Sequence, residues 1–237
     1  MTTLLVAKQY MKLFYSKYEI YITPFLKFLL AFTALRLINS RLGYMAAVNR
    51  LPIVLIVALM CSFMPTNFIV IMAALFILLH LYAFSLECTI VIGAAFLLMF
   101  LLYFRFSPKD TAVVVLTPVC FVLKIPYVIP ISMGLIGTPT SAVSVACGII
   151  VYYMIHYVNV NVSLLRGMTE EETAAKFKIV IDGILNNKEM VVTIAAFAVT
   201  LILVYIIRRL SIDYAWTIAM AAGAFVNVMV ILIGDLM

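Results

Sequence analysis

The stretch from Leu51 to Phe104 constrains the fold more than any other part of the chain, because Glu87 is its one charged residue. An ordinary water-soluble domain carries about 25% charged residues. A soluble fold could not hide such a long apolar run, so its solvent must be lipid. The whole chain is 67% hydrophobic and 11% charged, which extends the conclusion beyond the run. We therefore predict an all-α, multi-pass transmembrane bundle.

Polar turns divide the chain into apolar segments of roughly the length that crosses a bilayer. We predict 6–8 spans in total. The clearest candidates are Leu51–Met64, Phe68–Phe84, Thr89–Phe104, Ser141–Val158, Met190–Ile207 and Ala215–Ile233. The predicted regions are a basic N-terminal part at 1–50, a bundle at 51–158, a polar connector at 159–189 and a C-terminal hairpin at 190–237. The chain ends directly after the last span, which we interpret as a truncated product.

The first fifty residues are basic and rich in aromatic side chains, with Glu19 as their one acid. Residues 1–20 are expected to form an amphipathic helix in the membrane interface. Residues 21–39 form either a first span or a re-entrant or interfacial helix. Anionic lipid headgroups are the expected partner of the basic residues at the span ends. The residues expected to anchor the chain in this way are Lys8, Lys12, Lys17, Arg41, Arg50, Arg208 and Arg209.

The segment from Ser107 to Val158 is apolar but repeatedly interrupted, since it holds five of the chain's eight prolines. A proline removes one backbone donor and clashes with the carbonyl four residues before it. Interrupted helices are tolerated at membrane depth only when they pack within protein or line a watery cavity. The pattern predicts short helices at 111–122 and 127–136, with broken helices around 111–140 as the functional core.

Polar side chains within this interrupted segment are the candidates for a substrate path. They are Lys124, Thr138, Thr140, Ser141 and Ser144. A charge at the centre of the bilayer costs at least ~2.5–3.5 kcal/mol, so a lysine at that depth needs a compensating role. The alternative is that Lys124 lies between two short helices and extends its side chain to the interface. His80 is interpreted as a buried polar residue satisfied by a neighbour.

The connector carries the pattern of a helix start, because Thr169 precedes Glu172 by three residues in a capping box. Apolar residues then recur at helical spacing as far as Leu185. We predict an amphipathic helix at 169–185 that lies on the membrane or docks a protein partner.

Two segments of the chain resemble each other, residues 101–116 and residues 204–219. Both have an Arg-x-Ser turn, at Arg105 and at Arg209, with an aspartate shortly after it. The match is explained either by the residues that usually occur at span ends and helix caps or by an internal repeat of the kind found in transporters. The two turns lie on one side of the membrane if the interrupted segment crosses twice, and on opposite sides if it crosses once.

The stretch RRLSIDYAWTIA, from Arg208 to Ala219, resembles one in uncharacterised multi-spanning membrane proteins of clostridial-type Gram-positive bacteria. It covers about a dozen residues of the chain. The resemblance implies a location in the plasma membrane and no particular chemistry.

Motifs for catalysis are lacking in the sequence, which has no HExxH, GxSxG or P-loop pattern. The cysteines at 61, 88, 120 and 147 are isolated in apolar runs and have no metal-ligand or disulfide spacing. We expect no enzyme activity, cofactor, metal or nucleic-acid partner. A transporter or permease subunit is the favoured function, and a non-transporting scaffold or assembly subunit of an envelope complex is the alternative. The oligomeric state is left open.

Overall fold

The computed structural model of the chain describes the backbone of residues 2–167 and 173–236, and the side chains of residues 16–166 and 173–234. Every regular element within these ranges is a helix, which confirms the predicted all-α class. In chain order the helices are α1 (Thr2–Arg41), α2 (Leu51–Phe63), α3 (Asn67–Phe84), α4 (Leu86–Phe106), α5 (Thr111–Val122), α6 (Val128–Ile136), α7 (Ser141–Val160), α8 (Val162–Gly167), α9 (Thr173–Leu185), α10 (Lys188–Arg208) and α11 (Ala215–Leu236).

Six helical segments of the described chain are long and apolar enough to cross a membrane. They are Ser16–Arg41, Asn67–Phe84, Leu86–Phe106, Ser141–Val160, Thr173–Arg208 and Ala215–Gly234. The fifth of these combines α9 and α10, and α10 alone is about 31 Å long at 1.5 Å per residue. The apolar helices α2 and α5 are shorter. This is the architecture of a multi-pass membrane protein, as predicted.

The N-terminal region was predicted as an interfacial helix at 1–20 followed by a span, re-entrant helix or interfacial helix at 21–39, and these membrane positions stay predictions. It forms one continuous helix, α1, with Pro24 inside it. No glycine or polar turn separates the two parts, and α2 supports the proline, since Ser62 donates a hydrogen bond to the Pro24 carbonyl at 2.7 Å. Lys27 is accommodated because its ammonium group donates to the Met64 carbonyl at 3.2 Å.

Contacts near the helix ends fix the direction in which α1 to α4 run. Asn67, at the start of α3, accepts a hydrogen bond from Tyr103 near the end of α4. His80, near the end of α3, is bonded to Asn39 near the end of α1. We call the first level the Arg105 end of the bundle and the second the Arg41 end. Successive helices from α1 to α4 thus run in alternating directions.

The helices α5 and α7 run side by side in the same direction. Gly148 of α7 lies so close to Thr117 of α5 that an added Cβ would come within 2.5 Å of the threonine Cβ. One turn later, Phe121 stacks on Tyr152 at 4.5 Å between ring centroids. Because the end of α7 lies at the Arg41 end, where Tyr44 donates to Asn159, both helices start at the Arg105 end.

The helix α6 returns to the level at which α5 began. Tyr127, just before α6, packs on Phe197 in the middle of α10, with 6.2 Å between ring centroids. At the other end of α6, the Gly137 carbonyl accepts a hydrogen bond from Arg208 at 3.2 Å. The pair α5–α6 therefore enters the bundle and comes back, and neither helix has the ~30 Å needed to cross alone. As a result, both Arg-x-Ser turns lie at the Arg105 end.

The two Arg-x-Ser turns differ in detail although they share an end of the bundle. Ser107 is buried and donates to the Asp110 carboxylate at 2.7 Å. Ser211 and Asp213 are both exposed in the second turn. The internal repeat stays a prediction.

The helix α9 uses its apolar face within the chain. Val180 and Ile184 are buried in the main core, which is built from α1 to α5 and α7 to α9. The Lys176 ammonium lies 3.9 Å from a Glu87 carboxylate oxygen, and Tyr157 of α7 donates to the Ile179 carbonyl at 3.0 Å. The stripe that was expected to meet the membrane or a partner therefore packs largely on α4 and α7. The predicted capping box, Thr169–Glu172, lies outside the described residues.

Candidate functional site

An apolar cavity of about 110 Å³ lies inside the bundle, between α1, α3, α4, α5 and α7. Its wall includes Ala34 of α1, Ala74 of α3, Phe96 of α4, Pro118 of α5 and Val151 of α7. These side chains offer no hydrogen bonds, so the body of the cavity favours an apolar occupant.

Small side chains and the pattern of helix packing leave this space open. Ala34, Ala73 and Ala74 contribute only a methyl group each to the wall. The helix α1 packs on α2, α3 and α5, whereas α7 packs on α4, α5, α6, α8, α9 and α10. Facing parts of α1 and α7 are thus held apart by their other neighbours, and the cavity occupies the gap.

Polar lining residues are concentrated at the Arg41 end of the cavity. Arg41 and His156 are both exposed and both line the cavity, so the space reaches the protein surface there. The imidazole of His156 stacks on Tyr152 at 5.9 Å between ring centroids. The side-chain oxygen of Asn159 accepts a hydrogen bond from Tyr44 at 3.0 Å. The mouth therefore combines one guanidinium with neighbouring aromatic and amide groups.

The opposite end of the cavity is closed by Tyr103, whose ring lines the wall. Its hydroxyl is engaged elsewhere, at 2.7 Å from the Thr111 hydroxyl and 3.1 Å from the Asn67 side-chain oxygen. Thr111 also donates directly to Asn67. This cluster joins α3, α4 and α5 and leaves the ring as the apolar floor of the cavity.

The loop between α1 and α2 is fixed beside the mouth by Tyr44. Its ring stacks on Phe84 at 4.7 Å between centroids, and the Arg166 guanidinium lies 5.8 Å from the Tyr44 ring and 5.5 Å from the Phe84 ring. Burial raises the pKa of the Tyr44 phenol, and the nearby positive charge of Arg166 opposes that shift. The phenol therefore stays protonated at neutral pH, as its hydrogen bond to Asn159 requires.

The structure places the predicted path residue Lys124 at the end of α5. Lys124 is exposed and has a left-handed φ of 61°. The Ile125 N–H donates to the Cys120 carbonyl at 2.9 Å and the Lys124 N–H to the Phe121 carbonyl at 3.1 Å. These two bonds are those of a Schellman motif, in which glycine usually occupies the left-handed position. Lys124 therefore has a structural role that is independent of any substrate.

The other four predicted path residues follow α6, so that helix, about 14 Å long, separates them from Lys124. The Thr138 and Thr140 hydroxyls lie 2.7 Å apart in an exposed turn. The Ser141 hydroxyl accepts from the Thr138 N–H at 3.2 Å. Ser144 is buried, and its hydroxyl has no partner among the described residues. None of the five predicted residues lines the cavity, and their role in a path stays a prediction.

The predicted anchoring residues lie at both ends of the bundle. Arg41 and Arg50 flank the loop between α1 and α2 and are exposed. At the other end, the guanidinium groups of Arg208 and Arg209 lie 5.2 and 4.7 Å from the Tyr205 ring. Arginine beside a tyrosine ring near the end of a span is typical of a membrane interface, but headgroup binding stays a prediction.

Among the remaining anchoring residues, Lys17 is exposed, and its ammonium group lies 5.6 Å from the Tyr18 ring. The side chains of Lys8 and Lys12 lie outside the described residues.

Two buried polar contacts hold helices together away from the cavity. His80, which is completely buried, is bonded to Asn39 at 2.7 Å, which confirms the interpretation of His80 as a satisfied buried residue. Between α10 and α11, Asn227 donates to the Thr200 hydroxyl at 3.1 Å. This second contact was not predicted from the sequence. The signal for it is Asn227 itself, a single asparagine within the last apolar segment.

Comparison of the chain with protein-family models, with curated proteins and with solved structures finds no match in any of the three. The resemblance of Arg208 to Ala219 to clostridial-type membrane proteins therefore stays a prediction, as does the location it implies.

Proposed function

We propose that this chain is an integral membrane transport subunit of the plasma membrane, and that its substrate occupies the cavity between α1, α3, α4, α5 and α7. The observation that carries the proposal is the cavity itself, an apolar space of about 110 Å³ inside the bundle with a polar mouth at the Arg41 end. Interior sites between helices are common places for small-molecule binding.

The packing around the mouth favours a site that opens and closes. Across the gap between α1 and α7, the bridging contact is the Tyr44–Asn159 hydrogen bond, which comes from the loop after α1. The helix α5, which also lines the cavity, ends at Val122 and therefore does not extend past the mouth. A change in this gap therefore disturbs few packed side chains, as expected of a gating element.

A non-transporting scaffold is the second candidate, and the outer face of α9 favours it. Ile181 and Leu185 are exposed there although the inner face of the helix is buried. Exposed apolar side chains beside the charged residues Lys178 and Asp182 are typical of a surface that meets a protein or the membrane interface. This surface needs no cavity, so the two functions make different predictions for the interior of the bundle.

Accessibility of single cysteines to a small, charged, membrane-impermeant thiol reagent tests the proposal. In a background without the four native cysteines, the probe variant is Ala74→Cys and the matched control is Leu75→Cys. The two positions are adjacent on α3, but Ala74 lines the cavity and is buried, whereas 45% of Leu75 is exposed on the outer surface of the helix. Ser163→Cys, in an exposed position at the Arg41 end, serves as the positive control.

The transport proposal predicts that methanethiosulfonate ethylsulfonate modifies the cysteine at 74 in membranes and leaves the one at 75 unmodified. Modification at position 163 alone would mean that the cavity is sealed from water, and the scaffold would then be the better interpretation. Equal modification at 74 and 75 would mean that depth in the membrane, and not the cavity, controls access.

A further inference from the structure

Three properties of the cavity restrict what it can hold, and the first is size. A cavity of 150 Å³ in another protein is large enough to bind benzene, and the space here is about 110 Å³. The space therefore suits a ligand whose apolar body is of about the size of benzene. A diacyl lipid or a steroid nucleus is much larger than this space.

The second property is the charge at the mouth. Among the described residues that line the cavity, one is a lysine or arginine, and it is Arg41. It is the last residue of α1, where a helix dipole favours a cation. The ion pair found in the described part of the chain joins Lys176 to Glu87, so no acidic side chain there neutralises Arg41. The mouth thus has one positive charge that no carboxylate among the described residues pairs with.

The third property is that hydrogen-bonding groups are available at one end of the cavity. His156 and Asn159 lie at the mouth with Arg41. At the floor, the Tyr103 hydroxyl is already bonded to Asn67 and Thr111. A ligand with one polar end and one apolar end can therefore bind in one orientation, with its polar end at the mouth.

We propose that the cavity binds a small monocarboxylate, with the carboxylate paired to Arg41 and an apolar body of about the size of a benzene ring between α1, α5 and α7. A planar guanidinium and a carboxylate form a two-point, charge-assisted hydrogen-bonded pair. One negative charge matches the single cation, whereas a phosphate monoester with about −1.5 to −2 charges would exceed it. This inference rests on the proposed function, since it names the substrate class of the same cavity.

Binding is tested with the whole 237-residue chain in nanodiscs of zwitterionic lipid, using 4-fluorobenzoate as the probe and its ¹⁹F line width at pH 7.5 as the signal. Empty nanodiscs give the contribution of the lipid. We expect broadening above that level, reversed by unlabelled benzoate or hexanoate and not by benzyl alcohol or benzylamine. Equal displacement by benzyl alcohol would overturn the role given to the carboxylate.

The arginine at the mouth is tested with a matched pair of variants on α1. Arg41→Gln removes the charge at the cavity, and Arg36→Gln removes the charge of an exposed arginine that does not line it. We expect the dissociation constant for 4-fluorobenzoate to rise about tenfold or more in Arg41→Gln, to rise less in Arg41→Lys, and to remain unchanged in Arg36→Gln. Equal effects of the two glutamine variants, or no effect of either, would overturn the inference.

The outcomes separate this inference from the proposed function. If 4-fluorobenzoate binds through Arg41 while the cysteine at 74 is reached from one face of the membrane only, the ligand class stands and transport fails. If that cysteine is reached from both faces while 4-fluorobenzoate does not broaden above empty nanodiscs, transport stands and the ligand class fails.

Discussion

At the scale of single residues, His80 shows how a titratable side chain is accommodated inside an apolar bundle. Its Nδ1 atom accepts a hydrogen bond from the Met45 N–H at 3.1 Å, so its Nε2 atom must carry the proton that is donated to Asn39 at 2.7 Å. Asn39 in turn donates to the Val48 carbonyl at 2.9 Å. The three contacts tie the ends of α1 and α3 to the loop that follows α1.

We predict that His80→Leu destabilises the protein by several kcal/mol. It leaves the buried Asn39 oxygen and the half-buried Met45 N–H without their partner, and an unsatisfied buried group costs about 1–3 kcal/mol. The measurement is the thermal unfolding midpoint in detergent. His156→Leu is the control, because His156 is exposed and no buried group of the described residues is hydrogen-bonded to it. Equal shifts of the two midpoints would contradict the account.

At the scale of helices, the bounds of most elements could be predicted from the sequence. The predicted helix at 111–122 has the bounds of α5, and the segment predicted to start at Ser141 starts there. Proline, glycine and polar turns mark these ends locally, so no knowledge of the fold is needed. The continuity of α1 through Pro24 could not be predicted in this way, because the support that Ser62 gives to that turn is a tertiary contact.

A substitution at Lys124 distinguishes a role in ending α5 from a role in a substrate path. Its φ of 61° is strained for lysine and relaxed for glycine. We predict that Lys124→Gly leaves the unfolding midpoint unchanged or raises it slightly, and leaves binding of 4-fluorobenzoate intact. Loss of binding in a variant that unfolds at the normal temperature would restore Lys124 to the path predicted from the sequence.

Gly148 is required by the close packing of α5 on α7. A Cβ there would lie 2.5 Å from the Thr117 Cβ and 3.0 Å from the Val114 carbonyl oxygen. We predict that Gly148→Ala destabilises the protein by about 1–3 kcal/mol, the usual cost of overpacking. Small residues at such contacts let membrane helices approach closely.

The control for this prediction is Gly93→Ala. An added Cβ at Gly93 would lie 3.6 Å from a Leu78 methyl group, an ordinary contact, and alanine is favoured over glycine within a helix by about 0.5–1 kcal/mol. Denaturant unfolding of the two variants should therefore give free-energy changes of opposite sign. Similar losses in both would mean that Gly148 is not a special contact.

At the scale of the whole molecule, the sequence did not decide whether the two Arg-x-Ser turns lie at the same end of the bundle. In the structure both lie at the Arg105 end. Whether the two Arg-x-Ser turns lie at the same end of the bundle depends on whether α5 and α6 form one kinked helix or a returning pair. Contacts such as Arg208 with the Gly137 carbonyl decide this, and they join residues that are far apart in the sequence. The cavity was not predictable for the same reason, since its wall combines residues from five helices.

We predict that the turns after α4 and α10 are reached from the same side of the membrane. Lys109→Cys and Ser211→Cys are exposed positions in the two turns, and Ser163→Cys is exposed at the other end of the bundle. In sealed vesicles of one orientation, an impermeant maleimide should label positions 109 and 211 together and position 163 only after permeabilisation, or the reverse. Labelling of 109 and 211 from opposite sides would contradict the returning path of α5 and α6.

The central claim is that the cavity is a transport site, and the most direct test is the sidedness of access to position 74. The measurement is modification of Ala74→Cys by methanethiosulfonate ethylsulfonate applied separately to each face of sealed vesicles, with Leu75→Cys as the control. The account predicts modification of the cysteine at 74 from both faces, slowed by benzoate, and none at 75. Modification at 74 from one face only or from neither face, with exposed turn positions reacting normally, would contradict it.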